Sequence, residues 1–186
     1  MSGNGPYISM CYTRGSMAPP NYKKAKDGAT KLLSDFDIKD PIVPVAEIAQ
    51  RKGINLKYFK PDSLELEKIS GFFDPSSKTI YVNSEDPPTR QFFTIAHELG
   101  HFELEHSPEQ FGVLYRFATP IDKNPIEQEA NNFAANLLVP EDMLIKVMEK
   151  YGLTANDFIV LADIFGVSPE VMKYRLRWMI VNGANS

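Results

Sequence analysis

The sequence predicts an α+β fold with a small β-sheet, and three observations lead there. Apolar residues recur at helical spacing over much of the chain, while strand-like runs are confined to a short central stretch. The order runs helix, helix, strands, then helices, which places one small antiparallel or mixed sheet among helices. At 186 residues and 43% hydrophobic content, the chain has enough apolar material for one domain with a real core, with room for a small appendage.

Each element follows from local chemistry. Residues 1–20 are rich in Gly, Ser and Pro without a period, and read as a flexible arm. From Asn21 to about Phe36, the residues Tyr22, Ala25, Ala29, Leu32 and Leu33 form one helical face. After Pro41 and Pro44, the segment from Val45 to Lys52 reads as a short helix stopped by Gly53, a favoured residue after a helix end. Ile54 to Phe59 alternates like a strand. Ile69 to Phe73 and Lys78 to Val82 form a hairpin, with Asp74-Pro-Ser-Ser as its turn. Asp86-Pro-Pro-Thr starts a helix over about Thr89 to Glu105, with Asp86 as the expected cap. Residues 107–124 read as a surface loop. Pro125 to Leu138 is a second strong helix, and Pro140 starts a third that ends at Gly152. Thr154 to Ile180 gives two more, broken at Gly166-Val-Ser-Pro.

Composition removes several function classes. Lys plus Arg is 20 against 24 for Asp plus Glu, a formal charge of −4, which argues against coating nucleic acid by charge. The single cysteine, Cys11, rules out an intrachain disulfide framework and a Cys-rich zinc site. It suits a reducing, cytoplasmic setting. No stretch reaches the roughly 18 apolar residues that span a bilayer, and the N-terminus lacks a signal-peptide layout. No membrane partner is expected.

The three histidines all lie between His97 and His106. His97-Glu98-Leu99-Gly100-His101 is an HExxH pattern, which composition alone would yield on the order of a few times in a thousand chains. On a helix, positions four apart share a face, so both imidazoles can reach one metal ion. Phe92, Ile95, Leu99 and Phe102 form a stripe expected to bury against the core. Ala96 and Gly100 leave room beside the histidines for another backbone or a substrate. A glycine inside a helix costs about 1 kcal/mol relative to alanine, and a close approach at Gly100 would explain its presence. His106, near the helix end, reads as solvent-facing.

A catalytic zinc site usually needs a third protein ligand. Leu104 and Ser107 stand where a metzincin extension needs Gly and His. A carboxylate from another helix remains. Glu127 shares a face with Ala130, Asn131 and Ala134, small residues that would let this helix pack on the Ala96/Gly100 face. Glu127 is the favoured third ligand and Glu129 the alternative. Asn131 could orient a ligand.

The segments Arg90-Gln-Phe-Phe-Thr-Ile-Ala-His-Glu-Leu-Gly-His-Phe and Glu127-Gln-Glu-Ala-Asn-Asn-Phe-Ala-Ala-Asn-Leu-Leu-Val-Pro resemble the paired motifs of the ImmA/IrrE family of zinc metallopeptidases. The family pattern is R-F-T-x-A-H-E-x-G-H, then E-x-E-A-N-x-F-A-A-x-L-L-M-P. The hairpin Gly71-Phe-Phe to Lys78-Thr-Ile-Tyr-Val-Asn is also similar, and the likeness covers roughly residues 25 to 178. This chain departs by an extra residue within Gln91-Phe92-Phe93, Val139 for Met, and a longer His101-to-His106 spacing.

The resemblance implies a zincin-like, gluzincin-type metallopeptidase domain, placed at residues 21–152, while the tail around Leu161 to Leu176, broken at Gly166-Val-Ser168, itself resembles a helix-turn-helix and reads as a C-terminal helical subdomain over 153–186 packed on it. It implies Zn²⁺ held by His97, His101 and Glu127, with Glu98 as catalytic base. The function implied is zinc-dependent endopeptidase action on a helix-turn-helix transcriptional repressor in a phage, mobile-element or stress-response module. The alternative is a non-proteolytic regulator, or a toxin–antitoxin-type binding partner, that keeps the fold. An exposed hairpin edge around Ile80-Tyr81-Val82 is expected to hold extended substrate by strand addition. Tyr81, Tyr115 and His106 are candidates for stabilising an oxyanion. In the tail, Lys173, Arg175 and Arg177 lend basic character to the last helix. Its apolar Met172, Leu176, Trp178 and Met179 argue against direct nucleic-acid binding.

Overall fold

The computed structural model of the chain describes residues 18–106, 114–115 and 124–183. Most of the expected N-terminal arm, with Cys11, lies outside the described residues. The helices are α1 (Tyr22–Asp35), α2 (Val45–Arg51), α3 (Pro88–Glu103), α4 (Pro125–Leu138), α5 (Glu141–Tyr151), α6 (Phe158–Phe165) and α7 (Pro169–Gly183). The strands are β1 (Asn55–Phe59), β2 (Ile69–Asp74), β3 (Thr79–Asn83) and β4 (Leu114–Tyr115).

The sheet is mixed, in the order β1-β3-β2-β4. β2 and β3 form the expected antiparallel hairpin, with Phe72 opposite Tyr81. β1 runs parallel to β3, with Lys57 opposite Tyr81. β3 is therefore an interior strand, so the expected substrate edge around Ile80 to Val82 does not exist. Both sides of β3 are already hydrogen-bonded. Among the described residues the edges are β1 and β4. β4 pairs antiparallel with β2 through a bulge between Ile69 and Gly71, and it falls inside the stretch read as loop.

The hairpin turn uses Asp74 as an acceptor. Its Oδ1 takes the Ser76 backbone N–H at 2.9 Å and the Ser76 hydroxyl at 2.6 Å, and Oδ2 takes the Ser77 hydroxyl at 2.6 Å. An aspartate bonding its own chain two residues on is a turn-forming device.

α3 is the central helix. Every residue from Thr94 to His101 is buried, so it is enclosed all round rather than packed along one stripe. The sheet covers one side, and α2, α1 and α4 approach from others. Ile95 and Leu99 are fully buried as the stripe requires, but Phe92, near the helix start, is exposed. Its N-cap is Pro87, with no side-chain cap bond and Pro88 at the first helical position, so Asp86 is not the cap.

α1 packs along α4 through Ala25, Ala29, Leu32 and Leu33. α5 and α6 end at Gly152 and Gly166, with φ of 63° and 64°, where glycine is favoured. In α7, Met172 is fully buried and Arg175 is only 1% exposed. The Arg175 Nε donates to the carbonyl of Val139 at 2.9 Å, and its guanidinium lies 3.6 Å from Glu141. Arg175 is thus a tie between α7 and the end of α4, and it is not one of a solvent-facing basic row.

Candidate metal centre

Two helices build the centre. α3 carries His97 and His101 one turn apart, and α4 carries Glu127 in its first turn. The helices approach closely at Gly100. A β-carbon there would stand 3.0 Å from Phe133 Cδ1. The close approach read from Gly100 is present, but its neighbour is Phe133 rather than the small residues Ala130 and Ala134.

The His97 and His101 Nε2 atoms lie 3.1 Å apart. Glu127 Oε2 is 3.2 Å from His97 Nε2, and Oε1 is 3.4 Å from His101 Nε2. Among the described residues, His97, His101 and Glu127 form a buried group whose donor atoms all lie within 4.8 Å of one another. Glu129 is turned away from it. One Glu129 oxygen accepts the Asn21 backbone N–H at 2.7 Å, and the other meets His106 Nε2 at 3.3 Å.

The hydrogen bonds around the group say which atoms carry protons. His97 Nδ1 meets Asn131 Oδ1 at 3.0 Å. An amide oxygen only accepts, so Nδ1 bears the hydrogen and Nε2 presents its lone pair. Glu127 Oε1 is buried, with His101 Nε2 3.4 Å away. A buried carboxylate beside two imidazole nitrogens is an arrangement that a divalent cation satisfies. Two imidazoles and one carboxylate suit Zn²⁺ and leave a fourth position for water.

Burial tends to raise the Glu127 pKa, but hydrogen bonds and charge from His101 and His97 outweigh it and hold the carboxyl below its usual range. Glu98 behaves oppositely. It is fully buried, and neither oxygen has a hydrogen-bond partner of ordinary geometry. Desolvation pushes it up to about 8. The His101 charge and the Phe73 backbone pull it down, and the Glu127 charge adds to the rise.

His106 is not solvent-facing. Its side chain is 6% exposed, and its Nδ1 lies 2.9 Å from His101 Nδ1. Burial pulls its pKa down, and the Glu129 hydrogen bond opposes that. The cause is the helix end. Glu105 takes a left-handed φ of 56°, its N–H bonds the Phe102 carbonyl, and the His106 N–H bonds the His101 carbonyl. This is a Schellman stop, which folds the second residue past the helix back over its last turn. The five-residue spacing from His101 to His106 was the sequence signal for it. Tyr81 stacks on Phe72 at 4.8 Å between ring centres, on the sheet. The Tyr115 side chain lies outside the described atoms.

Comparisons with known proteins identify the family. The family model for the IrrE N-terminal-like domain matches residues 49–177, and the chain belongs to this ImmA/IrrE family of metallopeptidases. The matched span runs from α2 into α7 and leaves α1 outside. The radiation response metalloprotease IrrE of Deinococcus radiodurans is 31% identical over 125 residues, covering 67% of this chain and 37% of that protein. The protein of the same name from Deinococcus deserti is 31% identical over 107 residues, covering 57% of this chain and 38% of its own length. The chain thus spans little more than a third of these relatives. A solved Mycobacterium tuberculosis transcriptional regulator shares the fold at TM-score 0.57 and 18% identity, over 81% of this chain and 45% of its own.

Proposed function

We propose that this protein is a zinc-dependent endopeptidase whose metal is held by His97, His101 and Glu127. The observation that carries the reading is the buried meeting of those three side chains, with Nε2 atoms 3.1 Å apart and the carboxylate 3.2 and 3.4 Å from them. Bound zinc would supply a Lewis acid that polarises a peptide carbonyl and acidifies a water.

The remaining work falls to the chain's own groups. Glu98, next to His97 in α3, is the proposed general base. Its fully buried carboxylate would take a proton from the attacking water at an Oε atom and pass it to the leaving amine. Asn131 holds His97 in the tautomer that leaves Nε2 free for metal. With β3 interior, an extended substrate would have to pair along a strand edge other than β3.

The substrate we propose is a helix-turn-helix repressor encoded beside this protein, in a cytoplasmic stress-response, phage or mobile-element setting. No helix among the described residues is long and apolar enough to cross a membrane. Co-expression with the neighbouring repressor, followed by mass spectrometry of the fragments, tests this. Cleavage should occur with the wild-type chain and stop in Glu98→Gln, with zinc content unchanged by elemental analysis. Full cleavage by Glu98→Gln would overturn the proteolytic reading.

A further inference from the structure

We infer that His106 and Glu129 form a hydrogen-bonded chain that fixes the tautomer and ring orientation of His101. Both are positioning residues, and the inference rests on the metal-site reading above. The Glu129 carboxylate only accepts, so His106 Nε2, 3.3 Å away, carries the hydrogen between them. His106 Nδ1 then presents a lone pair, and it lies 2.9 Å from His101 Nδ1. His101 must donate there from Nδ1, which leaves its Nε2 unprotonated and facing His97 and Glu127.

The chain is anchored at its far end. The second Glu129 oxygen accepts the Asn21 N–H at 2.7 Å, at the start of α1. The near end is set by the backbone, since the Schellman stop at Glu105 brings His106 over His101. The two histidine ligands are therefore supported differently. His97 leans on the neutral amide of Asn131, whereas His101 leans on an imidazole backed by a carboxylate, which raises the basicity of the ligating nitrogen.

The test uses the full chain and zinc alone. Affinity is read by competition with a chromophoric chelator, and tautomers are read from long-range proton–nitrogen spectra of the imidazoles. His106→Leu should weaken zinc binding by about 10–100-fold, the usual effect of losing a group that orients a ligand. His106→Gln keeps an acceptor toward His101 and a donor toward Glu129, and should recover most of that loss. Glu129→Leu should also weaken binding, and the double leucine variant should lose less than the product of the two single effects, because both act through one chain.

Zinc affinity in His106→Leu within about twofold of wild type, or His106→Gln as weak as His106→Leu, would overturn the inference. If His106→Leu does not fold, the metal-free wild-type spectrum decides. His101 protonated on Nδ1 supports the chain, and His101 protonated on Nε2 overturns it. A wild-type chain that binds no zinc would instead defeat the metal-site reading itself, whatever the His101 tautomer.

Discussion

The ring of Phe133 on α4 lies directly over Gly100 on α3, with its Cδ1, Cβ and Cγ at 3.0, 3.2 and 3.2 Å from where a β-carbon on Gly100 would stand. That contact limits how near α3, which carries His97 and His101, comes to α4, which carries Glu127. Gly100→Ala would gain about 1 kcal/mol of helix propensity, yet it would push Phe133, which is fully buried, into a packed core. Overpacking of this kind costs about 1–3 kcal/mol. The expected net result is a loss of stability by urea unfolding, and Phe133→Leu in the same chain should relieve part of it. A stabilised Gly100→Ala would show that α4 can retreat freely.

Arg175 should matter for stability rather than for nucleic-acid contact. Arg175→Leu leaves the Val139 carbonyl without the donor it now has at 2.9 Å. A buried acceptor stripped of its partner costs about 1–3 kcal/mol, and chemical denaturation should show a midpoint shift of that size. Glu141 is partly exposed, so its share is smaller. An Arg175→Leu variant as stable as wild type would dissolve the tie between α7 and α4.

Metal removal should lower the melting temperature. A ligand that binds only the folded state, at 100 times its dissociation constant, adds about 2.7 kcal/mol. For a chain of this size that corresponds to roughly 5–10 °C in calorimetry. Chelation should reverse the gain, and His97→Ala should show no zinc-dependent rise. A zinc-dependent rise that survives in His97→Ala would place the ion elsewhere.

Asp74 should titrate low. The Ser76 and Ser77 hydrogen bonds lower its pKa to about 2. A folded value below the unfolded one, about 3.9, means the carboxylate stabilises the fold at pH above the unfolded value. That contribution fades as pH falls through about 2. Carbon NMR of the Asp74 carboxyl should give a midpoint near about 2, and Ser76→Ala with Ser77→Ala should move it upward. An unshifted midpoint in the wild-type chain would contradict the turn geometry.

Much of the centre was legible because its determinants are local. The four-residue spacing of His97 and His101 is a property of one helix, and so is the common face of Glu127 and Asn131. The scarcity of cysteine and histidine directed attention to a carboxylate. What escaped depends on distant partners. The hairpin turn marks β3 as a strand, but its interior place follows from β1 pairing parallel after a crossover. The unbroken Ile80-Tyr81-Val82 run was the available hint. Phe133 rather than Ala134 meets Gly100 because of the angle between two helices, which no single helix encodes. Arg175 is charged in sequence and inward in space, since a carbonyl at the end of α4 receives it.

The Glu129 contact with Asn21 joins residues 108 positions apart, and Tyr22 meets Gln128 across 106. In kinetic terms, such pairs form only after a long loop has closed, and the entropy of that closure is lost before the contacts return anything. The pocket that holds His97, His101 and Glu127 draws on helices that are near in sequence. The backing of His101 through Glu129 instead waits on the chain's first described helix. The backing of His101 is thus complete only where α1 lies over α4, and the HExxH helix alone does not supply it.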